Sequence, residues 1–479
     1  MIWLFHSCEE QTFDISSSTK LSFSSDTLRF DTVFTTIGSA TRSIKVYNSS
    51  DNWINISDIT LGNGSVGRFR INVDGVSGNR FANIEIPPND SIYIFCEVTV
   101  DPDQPLSESP FVINERIYFN TNGNDQSVLL EAWGQNANYL PNQFNAGGLA
   151  LLTCDLQELI FDDPKPYVIY GVLLVDSCDI VIPAGTQVYV HGGLVNSQNF
   201  GSYNDGQFIF LKDASLKTEG TVDNPVIIQG DRLESVFSDV DGQWTGIRFL
   251  DGSDENELNH TIIKNSILGI FADSATTVTL KNIQIFNTSN AGILASHATV
   301  TAENCLIYNN YGGGIQLNYG GSYEFSYCTI ASYGINAPTL TMNNILCLDA
   351  FCSVYRTNAL EASFTNCIFA GSSEDEFDFF DIESGNDPGL FDYQFNHSIV
   401  KVDELITQEG FTDFFDHCTE CVVQMIGDPL FIGIDSSNYR LDTMSIALDR
   451  GIPIPGIMTD LINQTRDSEN PDIGCYEFQ

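Results

Sequence analysis

Basic residues are the main shortage in this chain: 20 Lys and Arg stand against 63 Asp and Glu, a formal net charge of −43 over 479 residues. A surface of that sign repels nucleic acid, which is not expected as a partner, and anionic membranes. It also disfavours polyanionic glycans unless cations intervene. Long apolar runs are lacking too, and no stretch is apolar enough to span a bilayer. Helical repeats, with apolar residues three and four apart, are absent. Apolar and polar residues instead alternate at period two, the pattern of half-buried strands. A second CxxC is missing. His417-Cys418-Thr419-Glu420-Cys421 therefore lacks the four ligands that zinc takes, and reads as a surface disulfide or two free thiols.

What is present is a repeat. Residues 278–285, 300–307, 323–330, 340–347 and 362–369 carry one short β pattern, aligned on Asn282, Asn304, Tyr327, Asn344 and Asn366. Units of this length built from short strands form a solenoid, because one coil cannot bury its own apolar face and a stack of coils can. The recurrent Asn282, Asn304, Asn344 and Asn366 are expected where one strand turns into the next, each amide bonding the turn and stacking on the Asn of the next coil. The short step to Asn344 implies a shortened or interrupted coil. A second series, Gly269-Ile270, Gly292-Ile293 and Gly314-Ile315, calls for a sharp bend or a close backbone approach.

Twelve Cys are many for a reducing compartment. Cys347 and Cys352 can bridge locally, and Cys154 with Cys178 is a second candidate pair. Cys305, Cys328 and Cys367 share one repeat position and are expected to point inward. At the start, an apolar stretch, Ser7 and then Cys8 resemble the tail of a bacterial lipoprotein signal peptide. That resemblance makes Cys8 the acylated residue and gives membrane contact through a lipid anchor only. Glu9 and Glu10 resemble the export signal of some surface lipoproteins. Together these place the protein in the cell envelope, as an outer-membrane lipoprotein facing the surface or the periplasm.

The expected fold class is all-β. Residues 1–20 read as signal remnant and tether. Residues 21–140 read as an immunoglobulin-like β-sandwich of about seven strands, with a hairpin turn at Asn122-Gly123. Pro141 to Gly148 is a linker, and 149–479 form the solenoid with a C-terminal cap. Three early motifs are Pro183-Ala184-Gly185-Thr186, Gly220-Thr221 before Pro225-Val226, and Gln243-Trp244 before Gly246-Ile247. With Gly427-Asp428-Pro429-Leu430-Phe431 and Pro471-Asp472-Ile473-Gly474-Cys475, they resemble the pectate-lyase-like superfamily of right-handed parallel β-helix proteins. The resemblance covers about 150–479 and implies a right-handed parallel β-helix with any chemistry in a groove along one face of the coils. The sandwich resembles bacterial modules whose commonest role is spacer.

Lyases of that superfamily resemble one another in pairing an Arg or Lys base with groups that neutralise a uronate. Across 255–370 only Lys264, Lys281 and Arg356 are basic. The paired Asp, Gly-His-Gly and Arg-x-Lys that the hydrolase branch implies are absent. His191, His260 and His297 read as structural. The acidic cluster Asp251–Glu257 reads first as a solvated loop and second as a Ca²⁺ site, without EF-hand spacing. No other cofactor or metal is indicated. Tyr308, Tyr311, Tyr319 and Tyr323 are candidates for stacking sugar rings. These observations point to a non-catalytic surface binding, adhesion or structural module with a polysaccharide as partner. The alternative is a polysaccharide lyase or epimerase.

Overall fold

The computed structural model describes residues 11–34, 39, 41–62, 68–100, 111–154, 158–197, 201–234, 236–385, 387 and 389–478. Cys8 lies outside them. Strands dominate, and the only helices among the described residues are short 3₁₀ turns. The chain divides into two compact units, 1–137 with 233–235, and 138–232 with 236–479.

The first unit is a β-sandwich of a five-stranded and a six-stranded sheet. Its strands alternate as period two requires: Ser91–Val98 buries Ile92, Ile94, Cys96 and Val98. Phe111–Thr121 and Asn124–Gln135 form the hairpin expected at Asn122-Gly123, with φ of 54° and 78° at the two turn residues. Both left-handed positions are ones that Asn and Gly tolerate.

The second unit is a right-handed parallel β-helix with sheets of eleven, ten and nine strands. One coil contributes one strand to each sheet. Thr277–Lys281 joins the ten-stranded sheet, Gln284–Thr288 the eleven-stranded and Ile293–Ser296 the nine-stranded. The next coil repeats this with Thr299–Glu303, Leu306–Asn310 and Ile315–Asn318. The first rung is Asn138–Leu140, paired with Tyr167–Tyr170, so the solenoid begins ahead of the expected linker.

Parallel register stacks like positions into columns. Leu280, Ala302, Phe325, Phe364 and Phe395 form one interior column. Cys305, Cys328, Cys367, Ser398 and Cys421 form another. Each thiol or hydroxyl donates to a carbonyl one coil back, those of Leu280, Ala302, Phe325, Phe364 and Phe395. A small weak donor suits this column because it fills the corner and still satisfies a buried carbonyl. Burial drives the Cys305 and Cys367 thiols well above their ordinary range, which keeps them protonated and inert. A Cβ on Gly269 would collide with the Gly292 carbonyl, and one on Gly314 with Ile330, so this series answers close approach; neither has a positive φ. Cys154–Cys178 and Cys347–Cys352 are disulfides, and Cys418 and Cys421 are free thiols.

Two expectations need correction. Leu340–Asn343 belongs to the nine-stranded sheet and pairs with Ile315–Asn318, so Asn344 is not on the ladder of Asn282. After Asn344 the chain leaves the coil as an antiparallel hairpin, Ile345–Cys347 with Tyr355–Thr357, closed by the Cys347–Cys352 bridge. The short step to Asn344 arises because it follows a rung of that other sheet, while the excursion lengthens the stretch from there to Asn366. Second, the C-terminal residues do not cap the end of the solenoid. The end is filled by Phe411 and Phe414, which pack on Phe379, Phe391, Tyr393 and Phe395. Residues 425–478 instead run back along the outer face of the eleven-stranded sheet. There Tyr439, Leu461 and Cys475 cover Leu306, Tyr308 and Ala331.

Candidate functional site

The residue after each strand of the ten-stranded sheet, from His260 on, is left-handed: His260, Asn282, Asn304, Tyr327, Asn366, His397 and Glu420 have φ between 41° and 54°. Asn tolerates that conformation better than most residues. The amides stack in part, with Asn304 Nδ2 donating to Asn282 Oδ1 at 3.0 Å. Beyond that point the column holds the C-terminal strap. Asn304 Nδ2 donates to Thr459 O at 2.9 Å, and Asn366 Nδ2 to Ile452 O at 2.7 Å. The Ile452 N–H returns a bond to Asn366 Oδ1 at 3.0 Å, and Tyr327 Oη donates to the same Ile452 carbonyl at 2.7 Å. Arg466 completes the joint. Its Nη2 donates to Asn304 Oδ1 at 2.8 Å, Nη1 lies 3.3 Å from Glu477 Oε2, and the guanidinium sits 3.7 Å over the Tyr327 ring. Asn344, off this column, is fully buried and donates from Nδ2 to Asp381 Oδ1 at 2.6 Å.

The four tyrosines do not share a face. Tyr323 points into the core and donates to Gly320 O at 2.7 Å; Tyr308 lies under Tyr439 and against Phe286. Tyr319 is half-buried near His297, and Tyr311 alone is exposed. The strand alternation that turns Tyr323 inward removes it from any sugar-binding surface. In the acidic cluster, Ser253 and Asn256 turn inward and bond the Ala214 carbonyl and the Leu216 N–H, while Asp254, Glu255 and Glu257 face solvent. Among the described residues no three His, Cys, Asp or Glu converge to hold a metal ion.

The two lysines are separated as well. Lys264 is in the eleven-stranded sheet, donating to Ser238 O at 3.2 Å; Lys281 is in the ten-stranded sheet, 3.4 Å from Glu303. Lys281 lines a groove of about 320 Å³ with Lys217, Glu219, Glu257 and Asn259. Lys217 is 3.6 Å from Glu255, so both cations of the groove are already paired with carboxylates.

Sequence reading missed a third arrangement. Tyr170 and His191 end successive strands of the eleven-stranded sheet, and Asp231 follows the end of the next, Val226–Gly230. His191 Nδ1 and Asp231 Oδ2 are 2.7 Å apart, and the Tyr170 ring stacks on the imidazole at 4.5 Å. Burial would lower the pKa of His191, but the Asp231 hydrogen bond and the charges of Asp231 and Asp205 outweigh it and raise the value. Tyr170 Oη and Asp205 Oδ1 are buried without a hydrogen-bond partner. Aligning the coils at 167–170, 187–191 and 226–230 would have brought the three together.

A larger groove, about 890 Å³, runs beside the last coils. One wall is made by the corners at 371–374, 401–403 and 423–425, the other by 426–435.

Residues 197–351 match the family model described as right handed beta helix region. No curated protein matches the chain in sequence. Among solved structures, the complex of XylC with xylose is 10% identical over 92% of this chain and 85% of that one, at a TM-score of 0.36. The A-module of the mannuronan C-5 epimerase AlgE4 of Azotobacter vinelandii is 10% identical over 61% of this chain and 89% of its own, at 0.28. For a family 123 glycoside hydrolase of Clostridium perfringens the figures are 9%, 25% and 30%, at 0.18, so this chain spans less than a third of that enzyme. These likenesses assign no activity. Strand order, coil register and the matched region together identify the larger unit of this chain as a right-handed parallel β-helix.

Proposed function

We propose that this chain is a non-catalytic binding or structural module of the bacterial cell envelope. In this reading Cys8 is the lipid-bearing residue, the N-terminal sandwich is an immunoglobulin-like spacer, and the β-helix presents a surface to a polysaccharide. The protein sits at the outer membrane, facing the surface or the periplasm. One observation carries the non-catalytic part: the lysines of the coil groove are each held by a glutamate, with Glu219 and Glu257 beside them. A paired ammonium is a poor base, and a net negative groove repels the uronate that a lyase must deprotonate. A neutral glycan meets no such barrier. The test is a glycan-array screen of the full chain with and without Ca²⁺. Neutral glycans are expected to be retained in preference to uronate or sulfated ones, equally in both conditions; retention of no glycan would sink the proposal.

The enzyme reading has one observation in its favour, the His191–Asp231 pair. Its Nδ1 contact leaves Nε2 as the atom available for proton transfer. Lyase or epimerase chemistry there would be lost on replacing His191 by Ala.

A further inference from the structure

The groove beside the last coils combines exposed aliphatic side chains with a rim of carboxylates. Its floor and rim expose aliphatic side chains: Val423, Met425, Ile426, Ile432 and Ile434 are between 37% and 93% exposed, with Ile426 the most. Around them stand four carboxylates, Glu374, Asp403, Asp428 and Asp435. One lysine lines it, Lys401, whose Nζ is turned to the Gly371 carbonyl at 2.8 Å. We propose that this groove is a docking site for an extended segment of a partner protein that alternates basic and apolar residues.

Three features select that occupant. Sugar recognition relies on open aromatic faces, and the two aromatic lining residues here, Tyr333 and Phe431, are packed against Tyr439 and each other. Clustered exposed Ile, Val and Met suit protein contacts, where flexible aliphatic surface adapts to apolar anchors. The ring of carboxylates sets the partner's sign as positive, and it lies where it would meet side chains flanking those anchors. A second copy of this chain is disfavoured, since it brings another −43 to the contact. The groove follows the corners of three successive coils, so its length runs along the stack at about 4.8 Å per coil. An extended segment laid along the stack follows that course. This inference is independent of the glycan reading, which concerns other faces.

The probe is a dye-labelled nonapeptide alternating Lys and Leu, titrated into the full chain at 0.15 M salt and read by fluorescence anisotropy. Saturable binding at one site is expected. Ile426→Asp and Ile432→Asp should each weaken it at least about tenfold, as expected for central apolar anchors. Glu374→Gln combined with Asp435→Asn should weaken it and flatten its salt dependence. Leu194→Asp, on a hairpin elsewhere and with an exposure between those of Ile432 and Ile426, should leave it unchanged. Both Ile side chains are exposed, so their variants keep the fold. Equal affinity for Ile426→Asp, Ile432→Asp and the parent chain would reduce the binding to diffuse attraction by an acidic surface and overturn the proposal. Displacement of the peptide by a neutral oligosaccharide would overturn it as well, by making the groove a sugar site.

Discussion

Replacing Arg466 by Ala should free residues 449–478 from the coils, lowering the free energy of opening that segment by about 3–5 kcal/mol. The side chain is 2% exposed and its partner Glu477 7%, so the ion pair is out of water. Removing one partner leaves a buried carboxylate without its cation, and burial already raises the Glu477 pKa. The same change removes the donor to Asn304 Oδ1 and to the Gly474 carbonyl, and the cation above Tyr327. The solenoid interior does not depend on Arg466. Amide hydrogen exchange should therefore speed up over 449–478 by roughly two to four orders of magnitude, with the strands at 278–330 unaffected. A double-mutant cycle with Asn304→Ala should give a coupling of about 0.5–3 kcal/mol. Unchanged protection across the strap would mean that the sheet face, and not the ladder, holds it.

The second large effect belongs to Phe364→Ala, expected to destabilise the β-helix by about 3–5 kcal/mol. Phe364 is fully buried in the middle of the aromatic column. Its ring stacks on Phe325 at 5.4 Å and Phe395 at 4.9 Å, and meets the edge of Phe369 at 5.3 Å. Coils above and below are fixed by the sheet hydrogen bonds, so the void cannot collapse. Phe364→Leu keeps most of the volume and should cost about 1.5 kcal/mol or less. Denaturant midpoints of the two variants and the parent chain measure both. A loss under about 1 kcal/mol for the Ala variant would show that the rings are not close-packed.

The coil was legible because its signals are local. Alternation along a strand, an Asn or Tyr in the left-handed turn and a small inward thiol recur at one spacing, and each is imposed by one coil on its own backbone. Asn344 misled because the motif around it, Leu340–Asn343, is a genuine rung of a different sheet. A linear alignment cannot distinguish two corners of one coil. The strap was illegible for another reason. Gly474, Arg466 and Ile452 meet residues some 86–162 positions earlier, and neither end carries a local sign of the other. The tyrosines were read as a group because they are close in sequence. Their faces depend on strand phase: Tyr323 is the second inward position of Gly321–Ser326 counted back from Phe325, while Tyr311 follows a strand end. The His191–Asp231 pair, 40 residues apart, needed the coil register before it could be seen.

The functional claim is tested most directly by ultraviolet absorbance. A lyase leaves a conjugated double bond at each new end, so polygalacturonate, alginate and chondroitin sulfate incubated with the full chain and Ca²⁺ report activity without further reagents. The binding-module account predicts absorbance at the level of the blank, because Lys281 is paired with Glu303 in a groove that repels polyanions. Sustained absorbance on any of the three substrates, abolished by Lys281→Ala, Lys264→Ala or His191→Ala, would contradict it.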